Sequence, residues 1–258
     1  MDTTLLGAQL KRWRGHRRLS QLDLALDAGI SARHLSFVET GRARPSRDLL
    51  LALAERLHMP LRERNALLIA AGFAPAFPEH DLSDARLAAG RAAVAQVLAA
   101  FLPNPALAVD SRWTLIEANA SAAALMAGVT PGLLVPPVNV LRLSLHPQGL
   151  APRILNLAQW RGSIFQRLNE QLDASADPDI AALLDELRAY PGGEAPVSLA
   201  ESFVLPLRLA SDAGELAFIS MTTIFGTPLE VTLSEIAVET FLPEDEVTAE
   251  RLRVLTGS

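Results

Sequence analysis

Apolar residues recur at helical spacing from the start of the chain. Leu6, Leu10 and Trp13 fall on one face of a helix spanning roughly Thr4–Arg14. Ser20 precedes Gln21, Leu22, Leu24, Ala25 and Ala28 as an N-cap precedes a second helix, and Gly29 ends it. Ser31 caps a third helix with Leu35 and Val38 inward, broken by Gly41 and Pro45. Ser46 caps a fourth, with Leu49, Leu50, Leu53, Ala54 and Leu57 inward. Pro60 opens a fifth, Leu61–Ala71, closed by Gly72. Periodicity then lapses over Phe73–Asp84, which holds Pro75 and Pro78 and reads as a linker. A long helix is predicted over Leu82–Phe101.

Beyond Pro105 the period changes. Ala106–Asp110 and Trp113–Ala118 read as two strands around a turn. Helices follow at Asn119–Ala127, Val138–His146, Ile154–Leu172 and Ile180–Tyr190. Phe203–Leu209, Glu215–Phe225 and Glu235–Leu242 then read as three strands, the first two joined by a hairpin turn at Ser211–Gly214. A last helix runs from about Glu244 to Leu255. The expected class is α+β: an all-α unit, then an antiparallel sheet of about five strands with helices on one face.

A length of 258 residues favours two domains. The boundaries expected are 1–72, a linker at 73–81, and 82–258. Charge divides at the same place. Residues 1–80 carry 12 Lys and Arg against 8 Asp and Glu, and the rest carry 11 against 21, within a net charge of −6. A small basic unit on a larger acidic body suggests a nucleic-acid module joined to something that does not bind nucleic acid. There is no cysteine, which removes disulfides, thiolate metal sites and thiol chemistry and fits a cytoplasmic protein. The N-terminus lacks a signal-peptide pattern. The longest uncharged stretch, Ala118–Leu141, holds three prolines and reads as a helix and a loop, not a membrane span.

Gln21–Val38 has the spacing of a helix-turn-helix, with small Ala25 at the crossing and Gly29 four residues later at the turn. The stretch SARHLSFVETGRARPS (31–46) resembles the Xre/Cro-type helix-turn-helix family. Together with Met59-Pro60-Leu61-Arg62-Glu63-Arg64-Asn65 it resembles the MmyB-like subgroup of regulators. Short segments in the second half agree in order: Trp113–Asn119, Asn139–Leu143, Leu187–Tyr190, Leu205–Leu209, Phe225–Pro228 and Glu239–Pro243. The resemblance implies a DNA-binding domain followed by a PAS-like ligand-binding and dimerisation domain. It also implies a fatty-acid-like ligand.

In such proteins the N-terminal end of the third helix enters the major groove. Arg33, His34 and Ser36, behind Ser31, are then the groove-facing set, with Arg33 suited to a bidentate guanine contact. Ser20 and Gln21 face phosphate at the start of the second helix, and Arg42, Arg44 and Arg47 clamp phosphates beside the turn. Glu39 is expected as an internal partner for an arginine. Arg12, Arg14, Arg17 and Arg18 have the competing role of a solvated basic face.

The second unit carries no nucleophile elbow, Walker motif, H-E-x-x-H or G-x-G-x-x-G, and one histidine, His146. No enzyme, cofactor or metal is expected. An apolar pocket is the better expectation, lined by Trp160, Ile164, Phe165, Leu168 and Phe218, with Asn139, Arg142 and Arg167 as polar anchors. For each arginine, an ion pair with a nearby acid is the competing role. The sequence thus reads as a DNA-binding, ligand-responsive transcription regulator. Its expected partners are double-stranded DNA, a small apolar fatty-acid-like ligand and a second copy of itself, with no membrane. The alternative is a DNA-binding dimer whose second domain is only a scaffold; a DNA-tethered enzyme and an antitoxin fit less well.

Overall fold

The computed structural model describes residues 3–193, 195, 205–224 and 230–256. Phe203, Phe225 and the 225–228 segment lie outside the described residues. The chain forms two compact units: Met1–His80 with Asp173–Ala176 and Pro228–Ser234, and Asp81–Leu172 with Asp177–Thr227 and Glu235–Ser258.

The first unit is built on five helices: α1 (Thr3–His16), α2 (Gln21–Asp27), α3 (Ala32–Glu39), α4 (Arg47–Arg56) and α5 (Leu61–Ala70). The serines cap as their positions predict. The Ser20 hydroxyl accepts from the Asp23 amide while the Asp23 carboxylate accepts from the Ser20 amide, a reciprocal capping box. These Ser20 hydrogen bonds hold the Asp23 carboxyl below the usual range. Ser31 and Ser46 accept from His34 and Leu49 amides. Gly29 turns α2 into α3 at φ +66°, a conformation that costs glycine least. Trp13, Leu10, Leu24, Leu35, Leu50, Leu53 and Leu57 fill the centre and are fully buried.

Gly7 carries information that hydrophobic periodicity does not. A Cβ there would lie 2.1 Å from the Glu39 carbonyl oxygen, so only glycine lets α1 cross the end of α3 this closely. The segment expected to link the domains is pinned at its start. The buried Asn65 side chain accepts from the Ala76 and Phe77 amides and donates to the Phe77 carbonyl.

The second unit is a five-stranded antiparallel sheet in the order β2-β1-β5-β4-β3. Its strands are β1 (Ala106–Val109), β2 (Leu115–Ala118), β3 (Leu207–Ser211), β4 (Gly214–Ile224) and β5 (Ala237–Pro243). Between β2 and β3 come α7 (Ala120–Leu125), α8 (Val140–Leu145), α9 (Leu157–Ser175) and α10 (Pro178–Ala189). The remaining helices are α6 (Ala88–Ala100), the single turn α11 (Val231–Ser234), which belongs to the first unit, and α12 (Glu246–Thr256). Two strands, a helical block and three strands make the PAS-like arrangement. The predicted 82–101 helix is shorter than expected: Asp84 caps a separate 3-10 turn at Ala85–Leu87, and α6 begins at Ala88. Ser211 pairs with Gly214 across the expected hairpin turn.

Register decides what the sheet presents. Leu207 faces Phe218, Leu209 faces Leu216, and Leu107 faces Glu239. Strand alternation therefore puts Leu107, Val109, Leu216 and Phe218 in one core with Trp160, Ile164 and Phe165 of α9 and Leu183, Leu184 and Leu187 of α10. It also puts one carboxylate, Glu239, on that face. Asn119 locks the start of α7. Its Oδ1 accepts from the Ala122 and Ala106 amides, and its Nδ2 donates to the Leu98 and Asn104 carbonyls.

Candidate nucleic-acid interface and internal cavity

Arginine side chains sort the surface of the first unit. Arg14 is committed inward: Nε and Nη2 donate to the two Glu39 oxygens at 2.7 and 3.0 Å, and Nη1 donates to the Leu19 carbonyl. The Glu39 side chain is 2% exposed and that of Arg14 14%. The hydrogen bond to Glu39 raises the Arg14 pKa above its ordinary value. Glu39 is thus the internal partner its position suggests. Arg12 pairs with Glu63, and Arg62 with Glu79. Arg17 donates to the Leu57 and His58 carbonyls and lies over the Trp13 ring.

Arg33, Arg42, Arg44 and Arg47 differ. All four are exposed, and none has a carboxylate partner among the described residues. They lie on α3, on the loop after it and at the first position of α4. Arg33 lies over the Phe37 ring, one turn along, at 5.3 Å, which steadies the guanidinium without neutralising it. His34 and Ser36 are half-buried beside it, and Ser31 is exposed. Ser20 is exposed at the α2 cap. Gln21 is set differently from its expected phosphate-facing role: its amide nitrogen donates to Glu39 Oε2 at 2.7 Å, within the unit.

The second unit holds a cavity of about 90 Å³ between sheet and helices. Its walls are nearly all apolar, among them Trp113, Leu125, Met126, Leu141, Leu143, Trp160, Ile164, Leu209 and Phe241. Trp113 reaches it from the β1–β2 turn with φ +65°, a conformation costly for an aromatic residue. The Trp113 indole donates to Gln171 Oε1 at 2.8 Å, and the Arg167 guanidinium stands 4.7 Å over its ring. The polar wall groups are Ser144, Arg167 and Glu239. Ser144 Oγ accepts from the Trp160 indole at 3.1 Å. Arg167 Nη2 donates to Glu239 Oε1 at 2.7 Å, and Thr222 Oγ1 donates to the same oxygen at 2.6 Å.

Of the expected pocket residues, Trp160, Ile164 and Arg167 border this cavity. They form one stripe of α9, spaced four and three residues apart. Phe165 and Leu168 belong to the neighbouring stripe. Phe165 is buried beneath the guanidiniums of Arg161 and Arg188, and Leu168 has no exposure. Phe218 is fully buried in the sheet, edge-on to Phe241. Asn139 is occupied as the N-cap of α8, accepting from the Leu141 and Arg142 amides and donating to the Arg112 carbonyl. Arg142 faces outward and forks onto Glu186, with bonds of 2.8 to 3.0 Å. Those hydrogen bonds hold the Glu186 carboxyl below its usual range. Burial, with Glu186 adding to it, pushes Tyr190 up to about 12. Arg142 therefore takes the ion-pair role weighed against anchoring. Glu239 went unnoticed in the sequence as a cavity group.

Among the described residues, no helix is long and apolar enough to cross a membrane, and no group of three or more His, Asp and Glu side chains is placed to hold a metal. A helix-turn-helix unit followed by a PAS-like unit with an internal cavity is the architecture of a transcription regulator. Residues 91–255 match the MmyB-like transcription regulator ligand binding domain, and residues 5–67 match a helix-turn-helix domain. The chain belongs to the MmyB-like transcription regulator family. A search of curated proteins gives no match. Among solved structures, the clp gene regulator ClgR from Corynebacterium glutamicum is 25% identical, over 40% of this chain and 96% of that one, with a TM-score of 0.25. A likeness that low carries no structural argument.

Proposed function

We propose that this protein is a sequence-specific, dimeric DNA-binding regulator whose second domain, taken as residues 82–258, responds to a small apolar ligand. The observation that carries the DNA half is the set of four exposed, unpaired arginines grouped on α3 and at the start of α4. What sets these four apart is their grouping along α3 and at the start of α4; Arg18 and Arg56 are exposed without a carboxylate partner among the described residues as well. In this reading Arg33 and His34 read bases and Arg42, Arg44 and Arg47 neutralise phosphate, with Ser20, Ser31 and Ser36 beside them. A single helix-turn-helix buries too little surface for tight specific binding, which favours a dimer on two half-sites.

The ligand half rests on the cavity. An apolar pocket lined by leucines and aromatics is the kind of site that takes up apolar molecules. At about 90 Å³ it is smaller than the roughly 150 Å³ cavity that admits benzene. A medium-length fatty acid, the ligand the resemblance implies, would enter only if flexible wall residues such as Met126 moved aside. Native mass spectrometry of the purified full-length protein tests this half directly. A co-purifying apolar molecule, excluded when Ala122 at the cavity wall is changed to Val, is the expected result. A bare protein that no apolar additive stabilises would favour the scaffold reading.

A further inference from the structure

Resting on the proposed function, we infer that Arg17 couples cavity filling to DNA binding, because its guanidinium holds the end of the same helix that forms a cavity wall. α9 is one uninterrupted helix of 19 residues, Leu157–Ser175. Trp160, Ile164 and Arg167 on it border the cavity. Its residues up to Leu172 belong to the second unit, whereas Asp173–Ala176 belong to the first. Within that first unit Arg17 Nη1 donates to the Asp173 carbonyl and Nη2 to the Ala174 carbonyl, both at 2.8 Å. Ala176, just past the helix with φ +53°, packs against the core of the helical unit.

The same guanidinium grips a second helix end. Nε donates to the Leu57 carbonyl at 2.8 Å and Nη2 to the His58 carbonyl at 3.1 Å, just past the last residue of α4. Carbonyls at a helix C-terminus lack intrahelical partners and carry the negative end of the helix dipole, so one cation serves both ends. The Trp13 ring, with its centroid 5.4 Å away, steadies the guanidinium. At the opposite end of α4, Arg47 is its first residue and one of the arginines proposed to neutralise phosphate. The path is short and made of stiff parts: a cavity wall, about 9 Å of helix from Arg167 to Asp173, one planar side chain, and α4. A molecule larger than the cavity must move its walls, and a wall helix that moves carries its last turn with it. Arg17 then either draws the end of α4 along or releases it, and both alter the setting of Arg47.

The test uses full-length protein and sodium octanoate as the probe. Calorimetry gives octanoate affinity, and anisotropy gives affinity for a selected DNA site with and without saturating octanoate. In wild type, octanoate is expected to change DNA affinity by about 5–150-fold. Arg17→Met keeps a stem over Trp13 and loses all four hydrogen bonds, whereas Arg17→Lys keeps the charge but not the fork that spans both helix ends. Both should bind octanoate as wild type does, and Arg17→Lys should bind DNA as wild type does when octanoate is absent. In both, the octanoate effect on DNA affinity should shrink below about twofold. A variant that keeps the wild-type response overturns the inference and leaves the sensor reading standing. Wild-type protein that binds no octanoate, or binds it with no change in DNA affinity, takes down the fatty-acid sensor reading and the inference with it. Hydrogen exchange on wild type decides the matter even if neither variant folds. Octanoate should change protection in the last turn of α9 and at residues 57–59 together, and a change confined to the cavity wall would overturn the inference.

Discussion

The two units use arginine in opposite ways. In the helical unit Arg14 is spent on holding the fold, while Arg33, Arg42, Arg44 and Arg47 are exposed and unpaired. In the PAS-like unit Arg142 is spent on the surface with Glu186, while Arg167 stands at a cavity wall, tied to a carboxylate. Their cores differ in the same sense. The centre of the first is filled by Trp13 and nine buried leucines, and the second leaves space among residues of the same kind. A unit that recognises a large charged polymer needs its free charge outside and its interior rigid. A unit that recognises a small apolar molecule needs an unfilled interior and little net charge there.

The contrast predicts mutational effects of different size. The largest is at Glu39. Glu39→Ala leaves Arg14 unpaired inside the helical unit and should cost about 3–5 kcal/mol, read by urea denaturation. A loss below about 1 kcal/mol would place this pair among surface bridges. Next come the free arginines. Arg33→Ala should cost about 1–3 kcal/mol on a DNA site obtained by in vitro selection and little on random DNA. Arg44→Ala should weaken both about equally and lower the salt slope by about 1. Swapped behaviour would exchange their roles.

One substitution made in both cores sharpens the comparison. Ala25 is buried among filled neighbours, and Ala122 borders the cavity. Ala25→Val should destabilise by about 1–3 kcal/mol through overpacking, whereas Ala122→Val should change stability by less than about 1 kcal/mol while weakening ligand binding. Equal costs would mean the cavity is not open to added atoms.

The smallest effect is at Arg142. Its pair with Glu186 is well exposed on both sides, so Arg142→Ala should cost about 0.2–1 kcal/mol. The Glu186 pKa is lowered in the folded state, so the stability it contributes is present above its ordinary range and lost as pH falls. The variant should therefore lose most near neutral pH and converge with wild type in acid. Ligand affinity should not move.

Much of the first unit was legible because its signals are local. A cap needs only a serine three residues before the amide it receives, and Ser20, Ser31 and Ser46 each act so. The strand and helix order of the second unit followed from the change of period. The cavity was legible only in part. Trp160, Ile164, Phe165 and Leu168 all look apolar on one long helix, and helical spacing does not say which of two adjacent stripes meets the void. Arg142 and Arg167 carry the same sequence signal, yet their partners lie 44 and 72 residues away. Sheet register, which no local pattern fixes, brings Glu239 to the wall. Gly7 was missed for a like reason: its neighbour, Glu39, is on another helix.

A second domain that responds to ligand as proposed must change DNA affinity when that ligand binds. Fluorescence anisotropy would titrate full-length protein onto a selected DNA site at fixed salt, with and without a saturating amount of the apolar molecule that co-purifies with it. A ligand that favours one conformation of the regulator changes DNA affinity by a factor of about 5–150, in either direction, and DNA must change ligand affinity by the same factor. The expected shift lies within that range and is abolished by Ala122→Val. Identical affinities with a demonstrably filled cavity would contradict it.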